Sequence, residues 1–172
     1  AYIVTATIAA PALIFLDQSV LSSHFFVLYF GIMSAVIPPV ALTSFTAAAI
    51  AKADTNKVAI YGFLMGSAGI LLPYMFIYNP VILWIDFGLI NYIYSTLSLA
   101  VGLLFMASVI IGILKKPFII LERIGFALAS ILLIVPTPMV RILGFIFGGV
   151  LVYVHILRSK KIDRLSSANA NN

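Results

Sequence analysis

Two adjacent prolines, Pro38 and Pro39, lie inside the apolar stretch MSAVIPPVAL of residues 33–42. Proline has no backbone N–H and its ring clashes with the preceding turn, so the pair predicts a break in a helix. The carbonyl groups that would lose their intrahelical partners are those of Ser34, Ala35 and Val36. Free carbonyl oxygens are hard ligands, and discontinuous membrane helices use them to hold a small cation such as Na⁺.

Several hydroxyl side chains surround this break, namely those of Ser34, Thr43, Ser44 and Thr46. Ser and Thr in membrane helices ordinarily bond a carbonyl one turn earlier or allow close helix packing. That is the simpler interpretation of any single hydroxyl. Packing explains the proline pair less well, because a kink needs only one proline. The pattern as a whole favours a cation site.

The composition is that of a membrane protein. Hydrophobic residues make up 63% of the 172 residues and charged residues only 9%, whereas about 25% are charged in soluble domains. Runs such as LLFMASVIIGIL (103–114) are apolar on every face, unlike the alternating strands of a β-barrel. We therefore predict an all-α polytopic membrane protein with half a re-entrant hairpin and about five transmembrane helices, one of them broken at Pro38-Pro39.

Charges and turn residues divide the chain into six apolar segments, at 1–16, 25–51, 58–78, 87–114, 117–135 and 142–157. The first is short and contains Pro11, so a re-entrant half-hairpin and a plain spanning helix both fit it. The last two are predicted to form a hairpin joined by PTPMVR (136–141). The tail 158–172 is basic and then rich in Ser and Asn, which predicts disorder at its end.

The basic residues predict the orientation of these segments. If the helices alternate in direction, nine of the ten basic residues fall on one side and only Arg141 falls on the other. That side is assigned to the cytoplasm, together with the C-terminus. The nine residues are Lys52, Lys57, Lys115, Lys116, Arg123, Arg158, Lys160, Lys161 and Arg164.

Other kinds of chemistry find little support in the sequence. Cysteine is absent, which excludes disulfides and thiolate metal sites. His24 and His155 have no metal-ligand spacing, and no catalytic triad or phosphate-binding loop is visible. Glu122 and Arg123 are predicted to snorkel or to form a pair at the membrane interface. We therefore predict no enzyme activity, no cofactor and no nucleic-acid partner. The opening AYIVTATIAA lacks Met and a basic leader, so we expect a piece of a longer protein.

Three motifs carry a resemblance to a known family: HFFVLYFG (24–31), PPVA (38–41) and PYMFIYNP (73–80). They resemble the C-terminal part of the large, DctM-like membrane subunit of TRAP transporters, and most closely the TAXI-type fused permeases. The opening 1–13 resembles the exit arm of that family's second re-entrant hairpin, which favours the hairpin for the first segment.

The resemblance implies four parts of the chain. Residues 1–51 would be the hairpin exit arm and broken helix of the transport domain, and 52–86 the last helix of the large-subunit core. Residues 87–157 resemble the appended C-terminal helices of some fused permeases, and 158–172 would be a cytoplasmic basic tail.

The resemblance also implies a function. It is that of a Na⁺-coupled importer of organic acids in the prokaryotic inner membrane, working by an elevator motion. An extracytoplasmic binding protein would deliver the substrate, and the remaining N-terminal part of the permease would complete the site within the lipid bilayer. The alternative is a non-transporting membrane scaffold or assembly subunit, in which the prolines shape packing only. A channel fits less well, because no ring of charges is visible.

The family motif around the prolines reads Gly-x-x-Thr-Pro-Pro. On this chain the Gly falls on Ser34, the Thr on Ile37, and the residue after the prolines is Val40. The resemblance thus implies cation contacts at Ser34, Ile37 and Val40, with Thr43 and Ser44 beside the substrate path. Ile37 lacks the Thr hydroxyl, so only its carbonyl could serve.

Overall fold

The computed structural model describes residues 2–114 and 116–170, with side chains up to Lys161. Its described elements are helices and one isolated β-bridge between Ile113 and Pro117, which confirms the all-α fold class. The α-helices are α1 (Tyr2–Phe15), α2 (Val20–Met33), α3 (Leu42–Ala51), α4 (Thr55–Ser67), α5 (Leu71–Tyr78), α6 (Leu89–Ile111), α7 (Ile120–Ile134) and α8 (Pro138–Ala170). The chain forms two compact units, Ala1–Leu99 and Ala100–Asn172.

In the first unit, α1 and α2 form an antiparallel hairpin. The turn between them contains Asp17 at a positive φ of 60°, and Ser19 caps α2 by accepting a hydrogen bond from the Ser22 N–H at 3.0 Å. Gly31 allows the close approach of α1, because a Cβ there would lie 3.3 Å from the Tyr2 Cα. Each arm has 14 residues, or about 21 Å, which is shorter than a bilayer core of about 30 Å.

Aromatic rings hold α2 against α5. The ring centroid of Tyr74 lies 5.6 Å from that of Phe26 and 6.2 Å from that of Phe30, both with edge-on geometry. Phe25 meets Phe76 in the same way at 5.7 Å. Such pairs add about 0.5–1.5 kcal/mol each beyond the burial of their area. Two of the three motifs that carry the resemblance, those at 24–31 and 73–80, therefore pack on one another.

Three described stretches have the length and hydropathy to cross a membrane: Thr55–Tyr78, Leu89–Ile111 and Pro138–Lys161. The first joins α4 and α5 through the 3₁₀ turn Ala68–Ile70. Helices α1, α2 and α3 are apolar but shorter. Together α2 and α3 contain 24 helical residues, the sum of 14 and 10, which is enough for one span of about 36 Å with a break inside it.

In the second unit, α7 and α8 pack together with the end of α6. The buried Ser130 hydroxyl donates to the Gly102 carbonyl at 2.7 Å, and Arg123 donates to the carbonyls of Val109 and Ile110 at 2.7 and 3.2 Å. Arg123 thus satisfies carbonyl groups at the C-terminal end of α6, where a cation is favoured. It does not pair with Glu122, so the predicted pair between these two residues is wrong.

The C-terminal helix is longer than predicted. It begins at Pro138, within the predicted hairpin turn, and runs to Ala170. Pro is favoured in the first turn of a helix, and neither Gly nor Pro follows Gly149 to interrupt it. The tail from 158 to 170 is therefore helical in its backbone. Lys115 and residues 171 and 172, named in the predictions, lie outside the described residues, as does the side chain of Arg164.

Two glycines of α8 provide a test of the α7–α8 packing. A Cβ at Gly144 would lie 3.2 Å from the Leu132 Cβ and 3.2 Å from the Leu133 Cδ2, whereas a Cβ at Gly149 meets no described atom within 4 Å. We expect Gly144→Val to cost about 1–3 kcal/mol of stability through overpacking. Gly149→Val, the matched control on the same helix, should be close to neutral. Thermal unfolding in detergent measures both, and equal effects would contradict this packing.

Candidate functional site

The proline pair breaks the helix as predicted. Helix α2 ends at Met33, α3 begins at Leu42, and the peptide bond between Pro38 and Pro39 is cis. Ala41, which precedes α3, is fully buried and has a left-handed backbone with φ of 35°. This conformation costs a non-glycine residue about 1–2 kcal/mol, so the surrounding structure must hold the break in place.

The carbonyl groups at the break differ in their bonding. The Met33 carbonyl accepts from the N–H groups of Val36 and Ile37 at 2.9 and 3.1 Å. The Ala35 carbonyl accepts from both the N–H and the hydroxyl of Thr43, at 3.2 and 2.9 Å. It is therefore not free, contrary to the prediction.

The other two predicted carbonyl groups are available. Within the described residues, the carbonyl oxygens of Ser34 and Val36 accept no hydrogen bond. Pro38 could not supply an N–H to Ser34, which is the physical reason for its free oxygen. Both residues are half-buried, and a carbonyl oxygen without a hydrogen-bond partner can accept a ligand that coordinates it.

The predicted cation contacts Ser34, Ile37 and Val40 all lie in the segment between α2 and α3. The Ser34 hydroxyl donates to the Gly31 carbonyl at 2.7 Å, and its oxygen keeps lone pairs that can face a cation. The Ile37 carbonyl accepts from the Ala41 N–H at 3.1 Å and retains one acceptor position. Val40 is exposed.

A cavity of about 290 Å³ lies between α1 and α2, next to the break. Its walls are apolar apart from two hydroxyl groups, and the lining residues are Thr5, Ala9, Phe26, Val27, Phe30, Gly31 and Ser34. Ser34 is therefore the predicted cation contact that the structure brings to this cavity, and Ile37 and Val40 are not among its lining residues.

The two residues predicted beside the substrate path have different surroundings. Thr43 is exposed, and its hydroxyl is engaged with Ala35. Ser44 is buried beside α4, where a Cβ at Gly62 would lie 3.0 Å from the Ser44 Oγ. Gly62 thus gives α3 and the break room to approach α4.

A second polar cluster lies in the C-terminal unit and was missed in the sequence. Glu122 is only 5% exposed, and its Oε2 accepts from the Ile119 N–H at 3.1 Å and from Arg158 at 2.7 Å. The Nδ1 of His155, which is 1% exposed, lies 3.3 Å from the same oxygen. The carboxylate therefore joins the start of α7 to α8. A sequence signal existed, because an antiparallel hairpin with its turn at 136–137 brings Glu122 level with the region of His155.

The amino-terminal half of the chain, which contains the whole break, has a family match. The sequence profile of the DctM component of the tripartite ATP-independent periplasmic transporters matches residues 1–88. The chain belongs to the DctM family. This confirms the resemblance read from the three motifs. Neither a curated protein nor a solved structure matches the chain.

Membership in the DctM family makes this chain an integral, multi-pass component of a TRAP-type transporter permease. The family functions with a periplasmic binding protein and a small membrane component. The profile covers α1 to α5 and ends just before α6 at Leu89. The break, its carbonyl groups and the cavity beside Ser34 all lie within the matched residues.

Proposed function

We propose that this DctM-family chain takes part in Na⁺-coupled import of organic acids, delivered by an extracytoplasmic binding protein and carried by an elevator motion. The observation that supports Na⁺ binding most directly is the pair of carbonyl oxygens, on Ser34 and Val36, that accept no hydrogen bond within the described residues. They stand in a helix break that falls inside the family-matched part of the chain.

The residues around the break suit a monovalent cation held by neutral oxygens. The sequence from Val20 to Ala51 contains no Asp or Glu, so no carboxylate of this stretch would neutralise the ion. The C-terminal end of α2 points its carbonyl groups toward the break, and this end of a helix carries a partial negative charge. We assign the coordinating oxygens to Ser34, Ile37 and Val40, with the Val36 carbonyl as a further ligand that the structure suggests.

The same break would favour an anionic substrate on its other side. Helix α3 begins at Leu42, and a helix N-terminus carries a partial positive charge that attracts carboxylates. In this proposal Thr43 and Ser44 lie in the first turn of that helix, beside the path of the organic acid. Thr43 also links the start of α3 to the segment after α2, because its N–H and hydroxyl both donate to the Ala35 carbonyl.

Thermal unfolding in detergent tests the cation site without requiring transport. Na⁺ should stabilise the chain by RT ln(1 + [Na⁺]/Kd), which is about 2.7 kcal/mol at one hundred times Kd. K⁺ and choline at equal ionic strength are the controls and should have little effect. If Na⁺ and choline give the same unfolding temperature at all concentrations, the assigned cation site is wrong. That result would favour the alternative of a non-transporting membrane scaffold.

We further propose that the C-terminus faces the cytoplasm of a prokaryotic cell. Among the residues with described side chains, Lys160 and Lys161 at the end of the candidate span Pro138–Lys161 are exposed, as positive charges on the cytoplasmic side would be. Labelling of a cysteine introduced at Lys161 by a membrane-impermeant reagent tests this. If the reagent labels this cysteine in intact cells, the C-terminus lies outside the cytoplasm and the proposed orientation is wrong.

A further inference from the structure

Three aromatic side chains, Trp84, Phe87 and Tyr92, pack together where α6 begins. We call them the aromatic trio. The Trp84 and Phe87 rings are stacked at 4.7 Å with an angle of 15° between their planes. Tyr92, on the first turn of α6, closes the group at 5.8 Å from Trp84 and 5.5 Å from Phe87. Each ring therefore contacts both of the others.

The trio leaves a large apolar surface uncovered. Trp84 is 68% exposed and Phe87 is 45% exposed. The backbone beneath them is constrained, since Trp84 and Asp86 have positive φ values of 63° and 49°. This conformation costs Trp84 about 1–2 kcal/mol, whereas Asp tolerates it better. The chain thus holds two bulky rings outward at a site where burial would ordinarily favour turning them in.

The position of the trio indicates what covers it. It lies in the elbow between the span that ends at Tyr78 and the span that begins at Leu89, where the chain leaves the hydrocarbon region. The first turns of α6, next to the trio, also carry exposed apolar residues, namely Leu89, Ile90, Ile93 and Leu97. An exposed aromatic cluster at the start of a candidate span with exposed apolar residues belongs at the headgroup level, where Trp and Tyr are enriched.

We propose that the aromatic trio is a membrane-interface anchor, which binds the phospholipid headgroup and glycerol region and fixes the depth of this elbow. The indole and phenol rings combine an apolar body with a polar tip, which suits that region. The stacking by Phe87 and Tyr92 holds the Trp84 ring in one orientation. The anchor is independent of cation binding at the proline break.

The chain contains a single tryptophan, Trp84, so its fluorescence reports on the anchor without any substitution. In vesicles of phosphatidylcholine and phosphatidylglycerol, we expect strong quenching by a headgroup-attached nitroxide and by lipids brominated near the acyl carboxyl end. Lipids brominated near the acyl methyl end should quench about half as well or less, and aqueous iodide should have little effect.

A matched control moves the tryptophan from the elbow to a deeper position on α6. The variant Trp84→Phe with Leu97→Trp places the indole about 12 Å further along α6, counted from Leu89, and should be quenched best by the deep bromine. Strong iodide quenching of Trp84 with weak lipid quenching would overturn the proposal and leave the trio free for a protein partner in water. Strongest quenching of Trp84 by the deep bromine would also overturn it.

Discussion

The double variant Ser34→Ala with Pro39→Ala is expected to need at least about tenfold more Na⁺ for half-maximal stabilisation, which corresponds to a loss of about 1.4 kcal/mol in binding free energy. Alanine at position 39 restores an N–H that can bond the Ala35 carbonyl one turn earlier, in competition with Thr43. The break then closes toward a continuous helix, and Ser34 loses its hydroxyl oxygen. The unfolding temperature as a function of Na⁺ concentration measures the effect.

The matched control for this variant is Ser67→Ala with Pro11→Ala. The Ser67 hydroxyl donates to the Leu64 carbonyl at 2.7 Å, the same kind of bond that Ser34 makes to Gly31. Pro11 lies inside α1, so its replacement also restores a helical N–H. This control should keep the Na⁺ response. An unaltered Na⁺ response in the Ser34 and Pro39 variant would locate the ion elsewhere. In the complete transport system, Na⁺-dependent uptake should fall in parallel.

Replacing Glu122 by alanine is expected to destabilise the C-terminal unit by about 2–4 kcal/mol. The substitution removes the acceptor of the Ile119 N–H and leaves the buried His155 and the guanidinium of Arg158 without their carboxylate. The Arg158 side chain is 33% exposed. Water can therefore replace part of its interaction, which keeps the expected loss below that of a fully buried pair.

Two other variants separate the contributions of Glu122. Glu122→Gln keeps an oxygen that can accept from Ile119, so it should lose less stability than Glu122→Ala. Asp54→Ala is the matched control, since Asp54 caps α4 by accepting from the Lys57 N–H at 2.9 Å but is exposed. It should cost about 1 kcal/mol. If Glu122→Ala costs no more than Asp54→Ala, the ion pair of Glu122 with Arg158 contributes nothing beyond a helix cap.

The sequence predicted the break, its position and the membrane class because each rests on local chemistry. Two missing N–H groups at Pro38 and Pro39 interrupt a helix in any environment, and an apolar composition excludes a water-covered surface. Which carbonyl groups stay free depended on contacts across the break. Thr43 lies eight residues beyond Ala35 and bonds it only because the segment between them folds back. A contact of this kind leaves no periodic pattern in the sequence, so it could not be predicted.

The Glu122 prediction failed for a related reason. Adjacent residues in a helix point in different directions, so Glu122 and Arg123 face different neighbours. Glu122 points toward α8 and Arg123 toward the end of α6. The adjacent opposite charges in the sequence suggested that Glu122 and Arg123 pair with each other. The packing of α7 against α6 and α8 instead determines the partner of each side chain. The predicted cation contacts at Ser34, Ile37 and Val40 remain predictions, which the Na⁺ titration addresses.

The break sets the end of one helix dipole opposite the start of another, with only the segment from Ser34 to Ala41 between them. In the proposed function, a cation drawn to the carbonyl end and a carboxylate drawn to the amide end would therefore attract each other across this short segment. Occupancy of either position would raise the affinity of the other, and thermodynamic reciprocity makes the two enhancements equal. Part of the cooperativity between ion and substrate would then arise from the backbone geometry of the break.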